Sequence, residues 1–240
     1  MLKFRVWGNF RFLSHAETMK VFHRACVRGG VEVSHTDGFN PRPRMSLPLP
    51  RSVGVESDDE LLAFVVACEA PVAPPQGVPP QGVPYGTYGT WGTCGGDESA
   101  VAELASQIQA RLADQLPLGC EMISVAAVRG GKTPFPRSAS YLLAVTPEYI
   151  GDELKNKIKN LLAADSLILH RRPGKKASHP KDVDVRGFIK SIELDDGCVS
   201  VECEITSTGS IRMEEILDIL GLDLEKLASP IKRQSVSWQS

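Results

Sequence analysis

Two arginines that alternate with prolines are the clearest candidates for binding chemistry in this sequence. They lie in the segment 36–50, TDGFNPRPRMSLPLP, as Arg42 and Arg44, each directly after a proline. Proline fixes its own φ and favours extended geometry in the residue before it, so both guanidinium groups should project to the same side. A guanidinium pairs bidentately with a carboxylate or a phosphate. The spacing therefore predicts a two-pronged site for an acidic group, on a loop that Asn40 can brace.

A second candidate site lies at a helix start. The segment RFLSH places Arg11, Ser14 and His15 where free backbone N–H groups and the helix dipole favour an anion. Ser14 stands three residues before Glu17, the pattern of a capping box, so its hydroxyl should cap the helix rather than act as a nucleophile. His15 could accept or donate a proton in a reaction, and a purely structural hydrogen bond explains it equally well.

Positive charge is concentrated in two segments. Residues 1–51 hold nine Lys/Arg against three acids, a balance of +6 in a chain whose net charge is −2. The segment 170–181, HRRPGKKASHPK, holds five Lys/Arg and no acid. Basic patches attract phosphates, acidic proteins or anionic substrates, and others are only solvated faces. Within the second segment the candidate anion-binding residues are Arg171, Arg172, Lys175 and Lys176.

The motifs of known catalytic and cofactor sites do not occur in the sequence. There is no G-x-x-x-x-G-K, H-E-x-x-H or G-x-S-x-G, and the six cysteines are scattered without a C-x-x-C. We therefore expect no metal and no cofactor, and we expect that the chain is not an enzyme on its own. No apolar run approaches the length of a membrane span, and the start does not resemble a signal peptide, which predicts a cytoplasmic protein without membrane contact.

The hydrophobic pattern predicts an α+β fold of two ferredoxin-like (split βαβ) lobes, with mostly antiparallel sheets and helices packed on one face. The first lobe, 1–128, has strands at KFRVW, VEVSH, ELLAFVVACEA and GCEMISVAAV, and helices over 14–28 and from Ser99. The second lobe, 139–240, repeats this order and includes a hairpin around Asp196 and Gly197. Residues 71–97, with PPQGV twice and then YGT, YGT and WGT, predict a disordered insertion.

Five segments in this order resemble the bacterial radical SAM-linked protein family: RFLSH, GFNPRPRMS, SVGVES, LPLG and DVDVRGFI. Members of that family stand beside, or are fused to the end of, a B12-binding-type radical SAM protein, and their function is not established. The resemblance implies a separately encoded radical SAM protein as partner. The family commonly has histidine at the position of Arg42. Because arginine stays protonated, the change disfavours proton transfer or metal binding there and leaves anion binding intact.

Three functions remain open from the sequence. The first is an accessory module of a radical SAM system that binds an anionic substrate, above all RNA, through the basic N-terminal face. The second is a metal-independent RNA-processing or modifying enzyme that uses His15. The third is a pure protein-interaction subunit. Salt separates the first two from the third, because polyanion binding weakens steeply with ionic strength and apolar docking does not.

Overall fold

The computed structural model describes residues 1–66, 98–130, 132–171 and 181–239. The insertion predicted over 71–97 lies outside these ranges. In the described part the fold is mixed α/β, with four α-helices and a mostly antiparallel sheet.

The first half of the chain contributes two helices and four strands. They are β1 (Leu2–Val6), α1 (His15–Arg28), β2 (Met45–Ser46), β3 (Glu56–Phe64), α2 (Glu98–Leu112) and β4 (Cys120–Val125). The predicted start of α1 is confirmed, because Ser14 caps the helix and forms a reciprocal capping box with Glu17. The strand predicted at VEVSH is reduced to two isolated bridges, and the strand that pairs with the end of β3 is β2 instead.

The second half contributes two helices and six strands. They are β5 (Phe135–Ala144), α3 (Asp152–Ala163), β6 (Ile168–Arg171), β7 (Lys181–Asp184), β8 (Ile189–Asp195), β9 (Cys198–Glu204), α4 (Met213–Leu220) and β10 (Lys232–Gln239). The predicted hairpin is confirmed between β8 and β9. Both of its turn residues have positive φ, 42° at Asp196 and 80° at Gly197, as a tight two-residue hairpin turn requires.

Strands from both halves join in one eight-stranded sheet. Its order is β4-β1-β3-β10-β5-β9-β8, and β2 pairs with the far end of β3. Every neighbouring pair is antiparallel except β3 and β10, whose parallel pairing covers Ser57 with Arg233 and Glu56 with Lys232. Strands β6 and β7 form a separate two-stranded ribbon. The halves of the chain therefore meet at a short parallel seam inside a single sheet.

Each half has its own apolar core. In the first, the rings of Phe4 on β1 and Phe22 on α1 pack edge to face with centroids 4.6 Å apart, beside buried Leu62 and Leu112. In the second, α3 and α4 cover β5, β8 and β9, and the buried residues there include Leu143, Val201 and Ile216. Burial of these side chains is the main stabilising term of the fold.

A bulge in β3 leaves two polar side chains, Ser57 and Glu60, on the face of the first core. Phe4 pairs with Glu60, and the next pair joins Val6 with Ser57, so two residues of β3 oppose one residue of β1. The extra residue keeps Ser57 and Glu60 on the same face as Phe4. Both are buried, with 0% and 4% exposure. The bulge thus adds Ser57 to the core face on which alternation already places the Glu60 carboxylate, next to the seam with β10.

Candidate nucleic-acid interface and the adjoining cleft

The predicted arginine pair lies on a hairpin loop, residues 34–44, that is closed by its own hydrogen bonds. His35 and Pro43 form an isolated antiparallel bridge. The Thr36 N–H donates to the Arg42 carbonyl over 2.8 Å, and the Arg42 N–H donates to Thr36 Oγ1 over 3.0 Å. At the base, the Ser34 N–H donates to the carbonyl of Val65, just after β3, over 2.8 Å. The hairpin is therefore fixed to the sheet and braced along its length.

The two arginines have different surroundings. Arg44 is about one-third exposed, and its Nε donates to the His35 carbonyl over 3.1 Å while its Nη2 lies 3.3 Å from Asp37 Oδ2. Arg42 is exposed, and within the described ranges its side chain forms no hydrogen bond or ion pair. Arg44 therefore helps to hold the hairpin, whereas Arg42 can meet a ligand. Asn40, predicted to brace the loop, is exposed beside the turn at Gly38, whose φ is 116°.

Helix α1 extends the cationic surface of the hairpin. Its exposed side includes Lys20 and Arg24, and the ring of His23 lies 6.2 Å from the ring of His35. The contact between the two histidines places the base of the hairpin against the helix. We call the group of residues Lys20, His23, Arg24, His35 and Arg42, on the helix and on the hairpin, the basic face.

His15 lies apart from the basic face, in a small cleft. The cleft is a cavity of about 10 Å³, close to the room that one water molecule needs. Its lining comes from the start of α1, from β1 and β3 and from the segment after β2, and comprises Phe4, Leu13, His15, Thr18, Leu47, Leu49, Arg51 and Glu60. The helix start and the end of the Pro-rich segment, which the sequence singled out separately, thus converge here.

Arg11, predicted to bind an anion, is engaged within the protein. Its Nη1 donates to the Gly8 carbonyl over 2.9 Å and lies 3.6 Å from Glu56 Oε1. Its guanidinium carbon also lies 4.4 Å from the centre of the Phe12 ring. These contacts fix the turn after β1, so Arg11 shapes the approach to α1 rather than facing the basic face.

A buried ion pair closes the cleft from below. Arg233 Nη1 on β10 lies 3.0 Å from Glu60 Oε1, but the pair lacks hydrogen-bond geometry, and both atoms are buried without a hydrogen-bond partner. Arg233 Nη2 donates to the Pro50 carbonyl over 3.0 Å. Burial acts to lower the pKa of Arg233, but the charge of Glu60 and the nearby Tyr141 outweigh it and raise the pKa. Arg233 is therefore a fixed charge that ties the second half to the cleft.

Arg51 organises the cleft wall. Its Nη1 donates to the carbonyls of Arg11 and Val55 over 2.7 and 2.6 Å. Burial lowers the pKa of Arg51, and the charge of Glu60 acts in the opposite direction. The sequence interpretation missed Arg51, Glu60 and Arg233. For Glu60 a signal was present, because alternation along β3 places it on the same face as Leu62, where a charge is unexpected.

The second predicted basic site is only partly described. Arg171 Nε and Nη2 donate to the two carboxylate oxygens of Glu215 over 2.7 and 2.8 Å, and Nη2 also donates to the Ser210 carbonyl. This arginine therefore anchors the strand β6 to the start of α4. Arg172, Lys175 and Lys176 lie outside the described residues.

Three buried thiols and the metal-ligating side chains offer no further candidates in the described chain. Burial raises the pKa of Cys26 to about 11 and those of Cys120 and Cys203 to about 12, so these thiols stay protonated at neutral pH. Among the residues with described positions, no group of three His, Cys, Asp or Glu side chains could hold a metal ion. In the same residues, no helix is long and apolar enough to cross a membrane.

Comparisons with known proteins place the chain in a family. None of the curated proteins matches it. One family model, described as "Uncharacterized protein conserved in bacteria (DUF2344)", matches residues 1–76 and 92–217, which include the basic face and most of the cleft. That description does not mention radical SAM or B12-binding proteins, so the resemblance to the radical SAM-linked family stays a prediction. The match covers most of the sequence, and the chain therefore belongs to the DUF2344 family of proteins conserved in bacteria.

Proposed function

We propose that the chain is an RNA-binding accessory module and not an enzyme on its own. One observation carries the proposal: the Arg42 guanidinium is exposed and unengaged within the described chain, on a hairpin whose neighbouring backbone groups are already hydrogen-bonded. The His23–His35 contact places the hairpin against α1, which carries the exposed cations Lys20 and Arg24. A polyphosphate backbone can contact several cations spread over such a surface, whereas a single small anion cannot.

Charge distribution supports a polyanion as the ligand. The first 51 residues carry +6 although the whole chain carries −2, and Lys3, Arg5 and Arg11 pair with Asp59, Glu121 and Glu56 outside this segment. The exposed Lys20, Arg24 and Arg42 give the basic face a positive local field. Such a field steers nucleic acids toward the basic face and away from the acidic remainder of the chain. Arg42 can also bond a phosphate bidentately, which a lysine at this position could not do.

The strand order supports the finer architecture that we propose for the module. In the first half it is β4-β1-β3-β2, and in the second half it is β10-β5-β9-β8, with antiparallel neighbours in both. Numbered within each half, both read 4-1-3-2 once the β6–β7 ribbon is set aside. This is the arrangement expected for two ferredoxin-like lobes that share one sheet.

RNA titrations with Arg42 variants test the proposed function. We expect Arg42→Ala to weaken binding of a short RNA about threefold to tenfold and to lower the slope of log affinity against log salt by roughly one. Arg42→Lys should recover the salt slope but only part of the affinity, because it keeps the charge and loses the planar fork. Arg137→Ala, at an exposed arginine on β5, is the matched control and should change neither quantity. Equal binding by wild type and Arg42→Ala would refute the proposal.

A second candidate function rests on the cleft. His15 lines the same cavity as Glu60, whose buried Oε1 has no hydrogen-bond partner, and a histidine beside a carboxylate can transfer protons in RNA processing or modification. The test is to incubate RNA with the protein and with His15→Ala and to analyse the products by mass spectrometry. Products that form with the wild-type protein but not with His15→Ala would favour the enzyme. RNA that stays unchanged with both would favour the binding module.

We also propose that the module acts with a separately encoded radical SAM protein, supported by the sequence resemblance alone. Purification of the native protein under gentle conditions should then bring down both that polypeptide and RNA. Recovery of the polypeptide without RNA, together with salt-insensitive binding, would favour a pure protein-interaction subunit.

A further inference from the structure

The tip of the hairpin holds a phenylalanine that the fold does not use. Phe39 is exposed to 104% of its reference area, and it lies three residues before Arg42 and next to exposed Asn40. An aromatic ring of this size is normally buried at least in part, since its apolar surface favours removal from water. Phe39 is the most exposed of the large apolar side chains in the described ranges, so its ring is open to contact with a partner.

The bracing of the hairpin fixes the backbone on both sides of this ring. Arg44 bonds the His35 carbonyl and Asp37, and Thr36 exchanges two hydrogen bonds with Arg42, so the strands on both sides of the tip are held together. A ring presented on a closed hairpin loses less conformational freedom on binding than one on a flexible loop. The tip is thus preorganised to offer one aromatic face.

We infer that Phe39 stacks on an unpaired base and that the basic face selects single-stranded over duplex RNA. The inference rests on the proposed function and names the class of RNA that the same surface takes. In duplex RNA the bases stack on each other, so an aromatic side chain can reach only their edges. In a single strand a base can turn outward and stack on an aromatic side chain. Arg42 then lies on the same strand of chain as the ring, where it can hold the adjoining phosphate.

The surroundings of Phe39 favour this ligand over an apolar protein surface. Its neighbours at the tip are polar, with Asp37 almost fully exposed and Asn40 and Arg42 exposed, so the ring is a single aromatic and not part of an apolar patch. Protein interfaces are generally marked by larger contiguous apolar areas. A lone ring beside a guanidinium and an amide matches a stacked base with its phosphate and its polar edge.

The experiment compares one RNA strand of mixed sequence, labelled with fluorescein, with the same strand annealed to its complement. The wild-type protein should bind the single strand at least about fivefold more tightly than the duplex. Phe39→Ala should weaken single-strand binding about fivefold to a hundredfold and leave the salt slope unchanged, because stacking on an aromatic contributes roughly 1–3 kcal/mol per base. Phe39→Trp should retain the affinity. Phe135→Ala, at a half-exposed ring on β5, is the matched control and should bind as wild type does.

The other possible outcomes distinguish a failure of the stacking inference from a failure of the proposed RNA binding. If Phe39→Ala binds as wild type while Arg42→Ala is weakened, the stacking inference is overturned and RNA binding stands. Equal losses on single strand and duplex would also overturn it, since a duplex offers no free base. If neither RNA binds at low salt, the proposed function fails with it. If Phe39→Ala instead weakens a salt-insensitive binding to the radical SAM polypeptide, the ring contacts a protein partner and the stacking inference is overturned.

Discussion

Two arginine–glutamate pairs, one within the second half of the chain and one between the two halves, differ in how completely they are hydrogen-bonded. Arg171 and Glu215 form a bidentate pair at 2.7 and 2.8 Å, and Glu215 also accepts a hydrogen bond from the Arg212 N–H over 2.8 Å. Arg233 and Glu60 approach to 3.0 Å without hydrogen-bond geometry, and they are more deeply buried, at 1% and 6% side-chain exposure against 17% and 13%.

The comparison teaches that the residue types of an ion pair do not decide its role. A bidentate pair with its lone pairs used recovers much of the free energy lost when the charges leave water. A buried pair with unused donors and acceptors recovers less of that free energy. Buried polar atoms without a hydrogen-bond partner are rare in native structures and need an explanation. The Arg171–Glu215 pair fits a purely structural role at the start of α4. The Arg233–Glu60 pair keeps hydrogen-bonding capacity at the cleft and at the seam between β3 and β10.

The largest effect is expected from breaking the buried pair. Glu60→Ala and Arg233→Ala should each lower the free energy of unfolding by about 3–5 kcal/mol, because each leaves an uncompensated charge in the core. Urea denaturation followed by circular dichroism measures this.

A double replacement separates charge from shape at the same pair. Glu60→Leu with Arg233→Met keeps similar volumes and removes both charges, so most of the lost stability should return. If the double variant is as unstable as the single ones, the contribution lies in the fit of the side chains or in the bond from Arg233 to the Pro50 carbonyl.

A smaller effect is expected at the bidentate pair. Glu215→Gln keeps the shape and removes the charge, and it should lower the free energy of unfolding by roughly 1.5–3 kcal/mol, the range for hydrogen bonds to charged groups. The same denaturation experiment measures it. If Glu215→Gln lowers the free energy of unfolding as much as Glu60→Ala does, the difference in burial between the two pairs does not determine their contribution to stability.

The bidentate pair should also respond to acid. Although burial acts to raise the pKa of Glu215, the hydrogen bonds from Arg171 and Arg212 outweigh it and lower the pKa below its usual value. Its stabilising contribution is therefore present above the pKa of the unfolded chain and is lost as the pH falls through the lower folded pKa. The difference in stability between wild type and Glu215→Gln should shrink in that acidic range.

The smallest effect is expected from an exposed pair. Lys190 Nζ lies 3.0 Å from Glu202 Oε1 between β8 and β9, with both side chains more than 40% exposed. A double-mutant cycle with alanine at both positions should give a coupling energy below about 1 kcal/mol, and added salt should reduce it further. A salt-resistant coupling above that value would contradict the view that burial and complete bonding separate the three pairs.

Local patterns in the sequence predicted most elements of the fold. The Ser14–Glu17 capping box and the turn at Asp196 and Gly197 depend on residues close in sequence, and both are confirmed. Pairing between Ser57 and Arg233 joins residues far apart in the chain, and no short pattern encodes it. The single shared sheet was therefore not foreseen.

The candidate site was only partly predictable for the same reason. Alternation with prolines predicts the direction in which the side chains of Arg42 and Arg44 project. It cannot show that the His35 carbonyl and Asp37 bind Arg44 and not Arg42. The contact of His23 with His35 depends on where the hairpin folds back onto α1. Arg42 and Arg44 were recognisable as candidates within the segment 36–50, whereas their surroundings and the contact of the hairpin with α1 required the tertiary structure.

The parallel seam has a consequence for the order in which the protein folds. The strand that fills the gap between β3 and β5 is β10, the last described strand in sequence. Until it is placed, β3 and β5 both have unpaired edges, which are templates for pairing with other chains. Contacts between residues so distant in sequence also form slowly. During synthesis both half-sheets therefore remain open to aggregation until residues 232–239 have left the ribosome and inserted.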